Sequence, residues 1–361
     1  MTINHGANLF DLANKLGFKE TEFMDFSSNI NPFGSSIKAK KAVINNINMV
    51  SIYPDPEYKK LKASISEYCI CKKENIILGS GATELISSFI KTINPKKTLL
   101  LSPAYSEYEH ELKKINSTIT KYFSNEFDNF KININDIKTI LKNENYDLII
   151  ICNPNNPTGF AFTKEEIKYL LKDSNAFVMI DETYIEFTKT SEFSSTSLVD
   201  NFENLFVIRG TSKFFSTPGI RLGYGLISNK NILNKIYEHL DLWNINIFAS
   251  IMGEIMFKDK DYINLIQNNM ETEREYLLKE LNEVKGLKVF HSNGNFILCK
   301  IDNEFLTAKN LYNKLLHKKI IIRDCTSFEG LDKYFFRVCI LKPNENKLLI
   351  KELKNIFNEN K

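Results

Sequence analysis

The chain alternates short apolar runs with segments of helical period, the pattern of a sheet flanked by helices. Ile76-Ile77-Leu78 precedes Gly79-Ser80-Gly81, and Thr83 to Thr92 then reads as a helix. Thr98 to Leu101 ends at Ser102-Pro103, Leu148 to Cys152 at Asn153-Pro154, and Phe177 to Ile180 at Asp181-Glu182. Leu205 to Ile208 ends at Arg209-Gly210, and Tyr224 to Ile227 is a further strand candidate. Each run stops in polar or glycine-rich residues, and ligands of open α/β sheets gather at the carboxyl ends of the strands. The expectation is an α/β unit with a mostly parallel sheet between helices.

After Asn229 the pattern changes. Ile232 to Tyr262 and Tyr262 to Val284 read as helices, followed by strands at Gly294 to Leu298 and Phe335 to Val338. A last helix is expected from about Glu345 to Asn358. This predicts a smaller α+β unit joined by the beginning of the chain. The expected division is 36–253 for the large unit, and 1–35 with 254–361 for the small one. A length of 361 residues suits one large and one smaller domain.

Composition narrows the setting. The 47 basic and 44 acidic residues are spread along the chain with no long like-charged run, so neither nucleic acid nor a membrane surface is implied. Apolar runs such as Leu148 to Cys152 are too short to span a bilayer. Met1 to Gly17 lacks a basic patch followed by an apolar stretch, so no secretory signal is expected. Cysteines at 69, 71, 152, 299, 325 and 339 fit neither a zinc site nor a disulfide framework. Reduced thiols, no metal and a cytoplasmic location follow as expectations.

Only five of the 47 basic residues are arginines: Arg209, Arg221, Arg274, Arg323 and Arg337. Where lysine serves for plain positive charge, an arginine marks a planar grip on phosphate or carboxylate, or else an ordinary salt bridge. Arg274 lies in a charged helical stretch and is expected to be solvated; Arg209 is expected to be structural.

Gly79-Ser80-Gly81-Ala82-Thr83-Glu84 stands between a strand and a helix, where backbone N–H groups can approach an anion. A plain tight turn is the alternative. No Gly-Lys-Ser/Thr follows, so it is not a P-loop, and the third glycine of a dinucleotide fingerprint is missing. The absent P-loop also argues against Asp181-Glu182 as a magnesium pair, leaving a helix-capping aspartate as the plain reading. Two further segments change that: Asn153-Pro154-Asn155-Asn156-Pro157-Thr158-Gly159, and Thr211-Ser212-Lys213 through Gly219-Ile220-Arg221.

In this order the motifs resemble the fold-type-I pyridoxal-phosphate enzymes, the aspartate aminotransferase superfamily, over nearly the whole chain. The resemblance implies pyridoxal 5'-phosphate bound as a Schiff base on Lys213. It implies that Asp181 pairs with the ring nitrogen and that Asn156 and Tyr184 bond the ring's phenolic oxygen. Tyr105 would stack on the ring face. The cofactor phosphate would lie on the Gly81-Ala82-Thr83 backbone, Ser212 and Arg221. Relatives often carry a hydroxyl three residues before the lysine; Gly210 stands there, next to Thr211. Tyr53 matches a tyrosine that reaches the phosphate from a neighbouring subunit, which implies a homodimer. Arg337 matches the arginine that grips the substrate's α-carboxylate.

Two branches of the superfamily fit. His5-Gly6-Ala7-Asn8, Asp25 to Gly34 and Ile322 to Leu331 are similar to the threonine-phosphate decarboxylases, which act on L-threonine O-3-phosphate in cobamide side-chain synthesis. L-serine O-phosphate is the close alternative substrate. A phosphate suits a guanidinium fork, so Arg323, together with the early-chain residues His5 and Asn31, is expected to hold the substrate phosphate. Leu341 departs from the branch, which commonly has a second arginine four residues after Arg337. The other branch is histidinol-phosphate aminotransferase.

Overall fold

The computed structural model describes residues 9–172, 174–302 and 305–359. After the helix Leu9–Leu16 comes a short strand, β1 (Met24–Asp25). The next seven strands build one sheet: β2 (Ile76–Gly79), β3 (Lys97–Ser102), β4 (Thr118–Phe123), β5 (Leu148–Cys152), β6 (Phe177–Asp181), β7 (Leu205–Gly210) and β8 (Gly223–Leu226). Their spatial order is β2-β8-β7-β6-β5-β3-β4. All neighbours pair in parallel except β8, which runs against both β2 and β7.

Both faces of this sheet are covered, so its central strands read as unbroken apolar runs. Alternate residues still divide between two cores. Ile149, Ile151, Val178, Ile180, Leu205 and Val207 enter one. Leu148, Ile150, Met179, Phe206 and Ile208 enter the other, against Phe89, Leu112 and Ile236 of the covering helices. β4 is the edge strand that apolar runs alone do not reveal. Its Thr-Ile-Thr-Lys-Tyr-Phe sequence is only partly covered, and it pairs with β3 along its whole length.

The remaining strands are β9 (Leu287–Val289), β10 (Phe296–Ile301), β11 (Ile320–Ile321), β12 (Arg323–Asp324) and β13 (Phe335–Cys339). Four of them form an antiparallel sheet ordered β12-β13-β10-β9, while β1 pairs in parallel with β11. Cys339 N donates to Phe26 O at 2.8 Å, so the early chain runs along the edge of this second sheet.

The helix expected over Ile232 to Tyr262 is two, Lys230–Tyr237 and Ile247–Met256. Trp243, at φ 59, turns the chain between them, and Asn246 caps the second by accepting from Ala249 N. Lys260–Asn282 and Pro343–Glu359 match the other two expected helices. No helix among the described residues is long and apolar enough to cross a membrane.

Candidate active site

A cavity of about 350 Å³ opens where β5, β6 and β7 end and β8 begins. Its floor takes Cys152, Asp181, Gly210 and Lys213 from those strand ends. Its roof takes Ser27, Ser28 and Asn29 from the early chain, and Arg323, Phe328 and Arg337 from the second sheet.

Lys213 sits in the connection between β7 and β8, directly before two fully buried phenylalanines. Phe214 packs edge-on against Phe187 and Phe215 against Phe257, which fixes the backbone on which the lysine stands. Its Nζ donates to Ser28 O at 2.7 Å. Burial, with the positive Arg337 adding to it, pulls the ammonium from 10.5 to about 8. A lysine so placed becomes a neutral amine at a lower pH than an ordinary lysine, which favours its use as a Schiff-base nucleophile.

Asp181 is buried at the end of β6. Thr183 donates to its Oδ1 from backbone N (2.9 Å) and hydroxyl (2.5 Å), and Tyr108 donates to Oδ2 at 2.7 Å. Burial raises its pKa and these donors draw it back. Three donors leave roughly one acceptor position of a carboxylate for a partner in the cavity. Tyr184 is buried edge-on against Phe296, and its hydroxyl accepts from Asn29 Nδ2 at 3.3 Å. Burial pushes its pKa up.

Arg337 is buried on β13 with its guanidinium 5.0 Å from the Phe296 ring. It donates to Asn156 Oδ1 and, at 2.9 Å, to Ser27 O. That bond turns the other amide atom, Nδ2 of Asn156, free to donate to a ligand. Arg337 Nε and Asn29 Oδ1 are buried without a hydrogen-bond partner among the described residues, and both residues line the cavity. Orphaned polar atoms in a cavity wall are the mark of a site completed by a ligand.

An anion cup closes one end. The helix Ala82–Ile93 begins there, preceded by Gly81 at φ +87. A Cβ on Gly81 would stand 2.3 Å from Arg221 Nη2, and one on Gly223 would stand 2.6 Å from Ala82 N. Both glycines therefore permit close backbone approach. Arg221 holds a left-handed φ of 59 and, among the described residues, makes only long bonds, to Pro218 O (3.3 Å) and Ser80 O (3.4 Å). Thr83 bonds the Tyr105 hydroxyl, and the Tyr105 ring meets Tyr108 edge-on. Thr211 does not stand in for the hydroxyl absent at Gly210. Its own is buried, donating to Leu222 O at 3.0 Å and bonded to Thr217.

Arg323 also reaches the cavity. Its Nη2 donates to Ser327 Oγ at 2.8 Å, and its guanidinium lies 5.6 Å from the Phe328 ring. In the β12–β13 register Arg323 faces Arg337. Burial, with Arg337 adding to it, lowers the Arg323 pKa.

Other expected residues fall elsewhere. Asn31 does not line the cavity: its Nδ2 donates to Phe214 O and Tyr262 OH, and its Oδ1 accepts from Phe33 N. It fastens the early chain to the lysine segment; Asn29 is the arm residue at the cavity. His5 lies outside the described residues. Tyr53 is 75% exposed and stacks on Trp243, away from this chain's cavity. Arg209 is structural as expected, buried with its Nε and Nη2 both donating to Glu182 Oε2. Arg274 is not solvated: it donates to Phe187 O, Asn293 O and Gly294 O, because its helix face meets those loop carbonyls. Tyr108 was within reach of sequence, one helical turn after Tyr105.

These groups fit pyridoxal phosphate: an amine with a lowered pKa, a buried carboxylate with a spare lone pair, a donor amide, and a cup of N–H groups with an arginine. Residues 21–353 match the family described as aminotransferase class I and II. The chain is 40% identical over 98% of its length to the "putative threonine-phosphate decarboxylase" of Caldanaerobacter subterraneus subsp. tengcongensis, covering 94% of that protein. It is 31% identical to the histidinol-phosphate aminotransferase of Methanosphaera stadtmanae, over 97% of this chain and 95% of that one. The crystal structure of the histidinol-phosphate aminotransferase from Clostridium acetobutylicum superposes with a TM-score of 0.86 at 36% identity, covering 92% of this chain and 99% of that one. With its fold, its lysine and its cavity all in agreement, the chain belongs to the aminotransferase class I and II family of enzymes.

Proposed function

We propose that this enzyme decarboxylates a phosphorylated amino acid, L-threonine O-3-phosphate or L-serine O-phosphate, with pyridoxal phosphate held at Lys213. The observation that carries the reading is the pair of arginines facing each other across β12 and β13 at the cavity. Like charges directly opposite in a strand pair are destabilising. A substrate with both a carboxylate and a phosphate offsets that cost at both residues.

Bound in the cavity, the cofactor supplies an electron sink for the bond broken at the substrate's α-carbon. Asp181 would keep the ring nitrogen protonated, while Asn156 and Tyr184 would hydrogen-bond the phenolic oxygen. Gly81, Ala82, Thr83, Ser212 and Arg221 would hold the phosphate of the cofactor, and Tyr105 would cover its ring. Arg337 grips the substrate's carboxylate and Arg323 its phosphate. Two anchors would fix the substrate's rotation, which selects the bond to be broken, and Lys213 in its ammonium form would then deliver a proton to the α-carbon in place of the carbon dioxide lost. The large unit 36–253 contributes the floor; 1–35 and 254–361 contribute the roof. Exposed Ile47, Val50, Ile52, Tyr53 and Leu242 support pairing with a second copy, in which Tyr53 reaches the neighbouring phosphate cup.

The 40% identity to a protein bearing the decarboxylase name supports this reading. Buried Leu341, where that branch commonly has an arginine, favours histidinol-phosphate aminotransferase as the second reading. The test is incubation with phosphothreonine, phosphoserine and histidinol phosphate in turn, following carbon dioxide release and 2-oxoglutarate consumption together. Carbon dioxide without 2-oxoglutarate consumption is expected from a phosphorylated amino acid. Turnover of histidinol phosphate with 2-oxoglutarate, and no carbon dioxide from the others, reverses the choice.

A further inference from the structure

Lys121 of the edge strand β4 ends between two carboxylates that belong to different parts of the chain. Its ammonium donates to Glu109 Oε2 at 2.7 Å, on the helix Ser106–Lys114, and also to Glu329. An edge-strand lysine ordinarily points into water and blocks stray pairing. This side chain is only 15% exposed.

Glu329 lies in the turn between β12 and β13. One residue on, Gly330 (φ +91) packs so closely on Phe123, the last residue of β4, that a Cβ there would stand 2.7 Å from the ring. The same turn brings Phe328 to the cavity and Ser327 to the Arg323 guanidinium. Its inner side is fixed to the antiparallel sheet, with Cys325, Phe328 and Leu331 packed among Phe130, Phe290 and Phe335. Its outer side is tied to the large sheet through Lys121.

We propose that Lys121 is a positioning residue for the anion-binding end of the site, holding Arg323 and Phe328 at the cavity by bridging Glu329 to Glu109. The inference rests on the reading that Arg323 takes the substrate's phosphate. The Glu329 side chain is 63% exposed, so its pair with Lys121 is individually weak, and the bridge acts on substrate capture and leaves the fold and the cofactor site intact.

The test compares the holoenzyme with K121M, K121R, E329Q and the double variant K121M/E329Q. K121M is expected to raise KM for the phosphorylated substrate about two- to fivefold with little change in kcat. K121R restores it, and E329Q adds little to K121M because both remove one bridge. Added salt narrows the gap between wild type and K121M. Amide hydrogen exchange supplies a readout that needs no substrate. Phe328 N donates to Cys325 O at 2.9 Å and Leu331 N to Phe328 O at 3.0 Å, and both amides should exchange faster in K121M. Unchanged exchange overturns the proposal, as does an unchanged KM or full additivity of the two substitutions. Failure of the decarboxylase reading shows separately, in the wild-type enzyme. The KM comparison then uses histidinol phosphate, which carries the same charged group.

Discussion

The floor and the roof of the cavity are built on opposite plans. On the floor Asp181, held by three donors, is nearly satisfied, with roughly one acceptor position left over. On the roof, Arg337 Nε and Asn29 Oδ1 have none among the described residues, and Arg337 faces Arg323 across a strand pair. A satisfied network is rigid before anything binds, whereas an unsatisfied one gains most of its bonds from the ligand. On the proposed reading, the floor suits a resident cofactor and the roof a substrate that comes and goes.

The strongest way to break this comparison is at Lys213. Lys213→Ala should abolish turnover and leave no borohydride-reducible covalent adduct. Asp181→Ala should retain part of the cofactor yet lose most activity. An adduct surviving in the Lys213 variant would show that the floor has been misassigned.

Arg323 comes next. Arg323→Ala should lower kcat/KM by about 10- to 150-fold, the equivalent of one charge-assisted bond of about 1.5–3 kcal/mol. Arg323→Lys should rescue poorly, since an ammonium cannot reproduce the guanidinium fork. Cofactor absorbance should be unchanged in both variants. A loss of cofactor would merge floor and roof into one functional region.

The smallest effect is in pH. The lysine's folded value of about 8 lies below its ordinary 10.5. Cofactor uptake by the apo-protein should therefore rise with pH through about 8, as the amine becomes neutral. Between those two values the unfolded chain binds more protons, so the group's contribution to apo-protein stability grows with pH and is lost as pH falls through the folded value. Stopped-flow absorbance checks the first and denaturant titration the second. Arg337→Met should shift the uptake midpoint upward, since a positive neighbour of the amine is removed.

The floor was legible because its residues occur in short strings after apolar runs, where strand ends place them together. The roof was harder because its parts are far apart in sequence and meet only in the fold. Asn29 and Asn31 show the difficulty. Two residues apart on a regular extended segment, they would point the same way. Asn29 instead takes a left-handed φ of 56, which breaks the alternation and sends the two amides to different neighbours. Nothing in the local string announces that turn. Arg274 misled for a related reason: its own helix is charged, and the carbonyls it meets lie 80 or more residues away or in a following loop.

One reversal in the sheet reaches beyond the site. Because β8 runs against β7, residues 211–222 can link the two directly, where parallel neighbours would need a crossover to the far end of the sheet. Gly210 and Gly223 are cross-strand partners, so the ends of this connection stand about 5 Å apart. Lys213 and Arg221 thus ride on one closed loop whose ends are stapled together by the sheet itself. The antiparallel sheet brings Arg323, Phe328 and Arg337 to the cavity but contributes no residue to this loop. A fold made this way keeps Lys213 and Arg221 at a set spacing whatever the antiparallel sheet brings to the other end of the cavity.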